Sequence, residues 1–140
     1  MRDMFKTVLF AIDQSREARE AAERVINIVQ TYQSNLYLLA VVEPKEPDGE
    51  PPHSEPMTSP DTVSQLLQEA HGIFSKLGID AKLIEREGKP AFTICDVADE
   101  IDADLIVMGS RGTGLTEEGV ADSITNRVIN LSPCPVLVVP

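Results

Sequence analysis

The chain has 140 residues and a formal net charge of −11 at pH 7, with 42% hydrophobic and 25% charged residues. This length fits one domain, and the apolar fraction is enough for a packed core, which excludes a disordered chain. The sequence has no Lys/Arg cluster, which argues against nucleic acid and anionic membranes as partners. No apolar run approaches the roughly 18 residues that span a bilayer, and no signal peptide is evident, so we expect a cytoplasmic protein.

The two cysteines, Cys95 and Cys134, stand apart from each other among apolar neighbours. They form no CxxC pair, and the only histidines, His53 and His71, do not supply zinc ligands at a usable spacing. We therefore expect both thiols to be reduced and buried, as is usual in the cytosol.

Short apolar runs alternate with segments of helical periodicity along the chain. Continuous apolar runs predict buried strands, here at residues 6–13, 36–42, 79–84, 104–109 and 135–139. Apolar faces at helical spacing predict helices over residues 18–32, 63–77, 94–101 and 120–131. Ser15 and Ser59 are positioned to cap the first two helices. This alternation predicts an open parallel sheet with helices on both faces, and the most polar strand, 79–84, is expected at an edge.

One stretch, residues 43–60, interrupts this alternation. It holds six of the ten prolines, together with five acidic residues and one lysine. Because proline removes backbone donors, this density predicts a long, mobile surface loop without packed structure. Loops of this length in compact domains are either functional lids or disordered segments, and the composition favours disorder.

The order of the strands also indicates where a ligand would bind. Open α/β sheets hold ligands beyond the carboxyl ends of their strands, at the point where the strand order reverses. If that point lies between the first and fourth strands, Asp13 and Gly109 end the two neighbouring strands. Gly109 opens the glycine-rich segment GSRGTGLTEEG, whose backbone N–H groups could surround an anion, or which could be only a flexible connection. Together these features indicate a nucleotide site.

The stretch ADLIVMGSRGTG and the ending SPCPVLVVP, in this order of elements, resemble the universal stress protein family. The resemblance covers the chain except for the proline-rich stretch. It implies a five-stranded parallel sheet in the order 3-2-1-4-5, usually in a homodimer. One branch of that family binds ATP through Gly-x2-Gly-x9-Gly-(Ser/Thr), and another branch lacks the motif and does not.

Matched position by position, Gly109 and Gly112 fit the first two glycines of the motif, and Ser123 fits its hydroxyl position. Asp122 stands where the third glycine is expected. The resemblance also implies nucleotide contacts from Asp13 at the adenosine end, Val41 on the second strand, and the flanking residues Met108 and Arg111. Two further positions depart from the family pattern, since Ala11 and Gln14 replace a usual proline and glycine. The resemblance thus implies an adenine-nucleotide pocket with an altered phosphate end.

Asp122 changes what this phosphate end can bind. Aspartate adds a Cβ and a negative charge, which repels phosphate by about 1 kcal/mol in water and by several at lower effective dielectric. Alternatively, Asp122 caps the fourth helix and occupies the donors that a phosphate would use. In a third interpretation, its carboxylate binds Mg²⁺ against a nucleotide. All three readings make the phosphate end differ from the family's ATP site.

The residues and the resemblance together favour a universal stress protein that acts as a sensor or regulator. We expect it to bind an adenine nucleotide weakly or in a form with fewer phosphates, AMP or ADP. Two alternatives are a family member that binds no nucleotide and acts through contacts with a protein partner, and a true ATP binder with slow ATPase activity. No catalytic motif is present, so no catalytic residue is predicted.

The last predicted strand indicates how the chain would assemble. In the order 3-2-1-4-5, residues 136–139 form an apolar edge strand, and an exposed edge of this kind is a template for pairing. A twofold copy of the same strand would cover it, so we expect a homodimer through Val136–Val139.

Overall fold

The protein is built on a five-stranded sheet in which all the strands are parallel. The computed structural model describes residues 4–14, 16–45, 55–110 and 124–140. The strands are β1 (Thr7–Ala11), β2 (Asn35–Val42), β3 (Ala81–Glu87), β4 (Leu105–Gly109) and β5 (Val136–Val139). They lie in the order β3-β2-β1-β4-β5. The predicted α/β fold with strand order 3-2-1-4-5 is therefore confirmed.

Helices cover both faces of this sheet. They are α1 (Arg16–Tyr32), α2 (Pro60–Ser75), α3 (Pro90–Glu100) and α4 (Ile124–Leu131). One core joins α1 and α2 to strand residues such as Val8 and Phe10. A second core joins α3 and α4 to strand residues such as Leu9 and Ile106. Because successive strand residues point to opposite faces and both faces are covered, the central strands are apolar along most of their length, with Thr7 and Asn35 at the first positions of β1 and β2 as exceptions.

The two edge strands differ in polarity. On β3, Lys82, Glu85 and Arg86 are exposed, which confirms the edge position predicted for the polar strand. At the opposite edge, β5 is wholly apolar, and Leu137 is 36% exposed. The structure therefore leaves an apolar edge at β5.

A pair of hydrogen bonds fixes the register between β1 and β4, which are distant in sequence. The Thr7 N–H donates to Asp104 Oδ2 at 2.9 Å, and the Asp104 N–H donates to the Thr7 carbonyl oxygen at 2.8 Å. These contacts precede the paired residues Val8 and Leu105. Asp104 therefore aligns the two strands whose other ends border the cleft described below.

The turn before α3 requires glycine. Gly88 has φ +155°, and a Cβ there would lie 2.6 Å from Thr93 Oγ1. Its N–H donates to the Val42 carbonyl oxygen at 3.0 Å, so this turn remains attached to β2. Gly88 thereby brings the first turn of α3 to the carboxyl end of the sheet.

Three residues assigned by periodicity to buried helix faces are exposed instead. Tyr32, Leu77 and Leu131 are 40%, 48% and 48% exposed. Leu77 lies beyond α2, which ends at Ser75. Tyr32 lies at the end of α1, where its ring packs edge-to-face on Phe5 at 5.3 Å. Leu131 is the last residue of α4 and follows Val128 by three positions, which leaves it about 60° out of line with Val128 around the helix axis. Helical spacing identifies the apolar face of a helix, but it does not show which residues of that face are covered by the rest of the protein.

The proline-rich stretch is packed at both of its ends. Residues Pro56–Thr58 form a 3₁₀ turn that precedes α2, and Met57 is buried. The Glu43 N–H donates to the Met57 carbonyl oxygen at 2.8 Å, which joins the two ends of the stretch. The expectation of no packed structure is therefore wrong at residues 43 and 55–58, while residues 46–54 lie outside the described part. The predicted cap is confirmed, because Ser59 Oγ accepts a hydrogen bond from the Thr62 N–H at 3.3 Å.

The cysteines differ in burial. Cys95 on α3 is buried, as predicted, whereas Cys134, which precedes β5, is only partly buried. Desolvation raises the pKa of both thiols above the ordinary cysteine value. Within the described ranges, none of the helices has the length and apolarity needed to cross a bilayer.

Candidate functional site

A cleft opens where the carboxyl ends of β1 and β4 separate. Beyond β1 the chain stays with β2, because the Ile12 N–H donates to the Leu39 carbonyl oxygen at 2.8 Å. Beyond β4 the chain follows β5 instead, because the Ser110 N–H donates to the Val139 carbonyl oxygen at 3.0 Å. The segments that follow these two neighbouring parallel strands therefore turn toward opposite edges of the sheet, and a space opens between them. This is the switch point at which open α/β sheets bind ligands.

We call this space the switch-point cleft. The space between its walls, counted out to open solvent at the mouth, is about 590 Å³. The described residues that line it come from the ends of β1, β2 and β4, from the 3₁₀ turn and from the first turns of α3 and α4. They are Ala11, Ile12, Asp13, Leu39, Val41, Glu43, Met57, Pro90, Ile94, Met108, Gly109, Ile124 and Thr125.

The apolar walls of the cleft are well suited to a flat, uncharged group. Val41 and Met108 project from β2 and β4 into the core beneath α3, and Ile94 of α3 belongs to the same core. Each of these three side chains is at least nine-tenths buried. Packing between strand ends and a helix fixes them in place, so this surface is preformed for an apolar body such as a purine ring.

Three polar side chains give the cleft its chemistry. Asp13 follows β1 and is partly exposed, whereas Glu43 follows β2 and is only 4% exposed. The Thr125 hydroxyl donates to the Gly109 carbonyl oxygen at 3.1 Å and so joins α4 to the end of β4. None of the described lining residues is a lysine, arginine or histidine. Carboxylates accept hydrogen bonds, so this described part favours ligand groups that donate them.

The structure brings together four of the eight site residues proposed from the sequence. Asp13, Val41, Met108 and Gly109 all line the switch-point cleft. The other four, Arg111, Gly112, Asp122 and Ser123, lie outside the described residues. The adenosine end inferred from the resemblance therefore coincides with a cleft, and the altered phosphate end stays a prediction.

Sequence reasoning did not identify several lining residues. It placed Glu43 and Met57 in a loop without packed structure, and it gave Thr125 no role. For Glu43 the available signal was its position two residues beyond Val41, on the same side of an extended chain. The residue before Pro44 is also biased toward extended backbone, which preserves this alternation.

The described residues contain no group of three or more metal-ligating side chains that could hold a metal ion. Asp13 and Glu43 are the two carboxylate residues among the described cleft lining. The described part of the cleft combines apolar walls with these two hydrogen-bond-accepting side chains.

An open parallel sheet with an apolar cleft at its switch point is typical of nucleotide-binding α/β proteins. Comparison with known proteins identifies the group more closely. The sequence model of the universal stress protein family matches residues 4–140. The chain belongs to the universal stress protein family, as its sequence motifs predict.

One relative is the universal stress protein Sll1654 of Synechocystis, which is 62% identical over 98% of this chain and 87% of its own length. Among solved structures, a universal stress protein of Archaeoglobus fulgidus is 29% identical with a TM-score of 0.75. This chain covers 44% of that longer protein, which in turn matches 97% of this chain. A universal stress protein solved in complex with cAMP has a TM-score of 0.76 at 24% identity, and the match covers 98% of both chains. That last likeness concerns the fold.

Proposed function

We propose that this universal stress protein binds an adenine nucleotide in the switch-point cleft and acts as a cytoplasmic sensor or regulator. The observation that carries the proposal is the meeting of Asp13, Val41, Met108 and Gly109 around one cleft at the ends of β1, β2 and β4. The sequence alone already marks these four residues as candidate nucleotide contacts. A protein of the same fold has been solved with cAMP, which supports an adenine nucleotide as the class of ligand.

We further propose that the protein prefers AMP or ADP to ATP. The described cleft lining contains two carboxylate residues and no basic residue. Asp122 places another acid where the family's ATP motif has glycine, and the sequence from 110 to 123 carries this acid, Glu117 and Glu118 against one basic residue, Arg111. Each added phosphate brings negative charge toward these acids, and like charges repel by about 1 kcal/mol or more at contact distance.

The decisive experiment has two parts. Mass spectrometry of the freshly purified protein identifies any nucleotide that stays bound, and calorimetric titration then ranks AMP, ADP and ATP with and without Mg²⁺. We expect affinity to fall from AMP to ATP in the absence of Mg²⁺. Tighter binding of ATP than of AMP would support an ATP-binding protein instead. No binding of any adenine nucleotide at millimolar concentration would support a regulator that acts through protein contacts alone.

For assembly, we propose a homodimer in which two copies of β5 cover each other's edge. The support is the apolar sequence of Val136–Val139 together with the edge position of this strand and the exposure of Leu137. An unpaired apolar edge invites association, and a twofold pairing closes it.

A further inference from the structure

We propose that Glu43 selects the base of the bound nucleotide by accepting a hydrogen bond from its exocyclic amino group. This inference rests on the proposed function and adds a specificity-determining residue to the same cleft. Neither the family motif nor the sequence pattern gives the buried carboxylate of Glu43 a role in the cleft.

The position of Glu43 is fixed by its backbone. The residue follows the last residue of β2, Val42, and its N–H donates to the Met57 carbonyl oxygen at 2.8 Å. Pro44, the next residue, restricts Glu43 to extended backbone. Val41 and Glu43 therefore share one side of the chain, and both line the cleft. A ring that packs on Val41 lies beside Glu43.

Burial makes this carboxylate selective. Glu43 is 4% exposed, and apolar neighbours such as Val41 and Met57 line the cleft beside it. A carboxylate in such surroundings accepts hydrogen bonds strongly, so a ligand group that donates to it is favoured over one that cannot. Its two oxygens offer about four acceptor positions, so a structural partner within the protein and a ligand donor can share it.

The chemistry of an adenine nucleotide supplies few donors that match. Its phosphates are anionic acceptors and are repelled by a carboxylate, which leaves the ribose hydroxyls and the 6-amino group. Two carboxylate residues line the described cleft, Asp13 after β1 and Glu43 after β2. Of the two, Glu43 is the more deeply buried, so we assign the base to Glu43 and leave the ribose to Asp13.

The test compares AMP with purine riboside 5′-monophosphate, which has the same sugar and phosphate but no amino group. We expect the wild-type protein to bind AMP about tenfold more tightly, the effect of one hydrogen bond to a buried charged group. In Glu43→Gln this advantage should fall to threefold or less, mainly because AMP binds less tightly. The matched control is Glu87→Gln, which removes the same charge at the end of β3, beside Val42 in the sheet but outside the cleft lining. It should keep the full preference.

Equal binding of the two ligands by wild-type protein would overturn the assignment, and this comparison does not depend on any variant folding. An equal loss for both ligands in Glu43→Gln would likewise overturn it and would make Glu43 a structural residue. If AMP itself fails to bind wild-type protein, the proposed function falls as well. If wild-type protein binds AMP and purine riboside 5′-monophosphate equally tightly, the proposed function stands and only the role of Glu43 is rejected.

Discussion

The hydroxyl of Thr125 donates to the carbonyl oxygen of Gly109 at 3.1 Å, and this bond attaches the first turn of α4 to the end of β4. Thr125 is 9% exposed, so the bond is largely shielded from water. Because both residues line the switch-point cleft, this contact between a helix and a strand end helps to fix one wall of the cleft.

Replacing Thr125 by valine should destabilise the protein by about 1 kcal/mol, because the similar shape is kept while a partly buried acceptor loses its donor. Thr125→Ser keeps the hydroxyl and serves as the control, with a smaller loss. Denaturant unfolding measures both variants. An unchanged free energy of unfolding in Thr125→Val would show that water replaces the hydroxyl at the Gly109 carbonyl.

Met57→Ala should cost about 2 kcal/mol or more of stability, since Met57 is only 4% exposed and its truncation leaves a cavity beside the cleft. We also expect weaker AMP binding, because Met57 lines the cleft. Met4→Ala is the matched control, because Met4 is 61% exposed and its loss should be nearly neutral. Equal stability of the two variants, measured by chemical unfolding, would contradict the packing seen for the 3₁₀ turn.

Asp122→Gly should strengthen ATP binding by about 1–3 kcal/mol, or tenfold or more in Kd, because one repulsion is removed and backbone donors become accessible. AMP does not extend as far and should change little. Calorimetric titration of both proteins with and without Mg²⁺ tests this. If Asp122→Gly instead loses ATP binding only when Mg²⁺ is present, Asp122 is a metal ligand.

Val138→Lys should convert the proposed dimer into a monomer, because a charged side chain on β5 opposes the pairing of two apolar edges. Ile73→Lys is the control, as Ile73 is exposed on α2, away from this edge, and its substitution should leave the dimer intact. Sedimentation velocity at micromolar concentration distinguishes the two states. A monomeric wild-type protein, or a Val138→Lys dimer, would refute the proposed interface.

Alkylation of the thiols should depend on both burial and pH. Cys134 is partly exposed and Cys95 is buried, so iodoacetamide should modify Cys134 first in the folded protein. Because desolvation raises both pKa values, the reactive thiolate is scarce near neutral pH, and labelling should accelerate as pH rises toward and beyond 9, about the ordinary thiol value. Mass spectrometry of peptides from time-course samples measures each site. Faster labelling of Cys95 would contradict the packing of α3.

Much of the fold could be predicted because each central strand is marked by its own run of apolar residues. The apolar runs in β1, β2 and β4 reflect burial on both faces, so the local sequence is enough to reveal this burial. Asp13, Val41, Met108 and Gly109 could be located because strand ends and a family motif mark them. Their approach to one another follows from the strand order.

The residues missed by sequence reasoning depend on contacts that no local pattern encodes. Proline density suggested that residues 55–58 would not pack, yet a 3₁₀ turn needs only short-range bonds, and Pro56 occupies a first-turn position where its missing N–H costs nothing. Glu43 and Met57 lie at the two buried ends of the stretch, which are joined by the hydrogen bond from the Glu43 N–H to the Met57 carbonyl oxygen. Tyr32 is likewise exposed because it lies at the end of α1. Helical periodicity does not show where a helix extends past the sheet.

The bond between Thr7 and Asp104 joins positions 97 residues apart, and it has a consequence for the order of events during synthesis. Closing so large a loop is slow compared with forming local helices, so we expect β1 and β4 to pair after the helices have formed. Until β4 has left the ribosome, a nascent chain has only the β1 border of the switch-point cleft. Under the proposed function, nucleotide added during translation should therefore stabilise only those chains in which β1 and β4 have already paired.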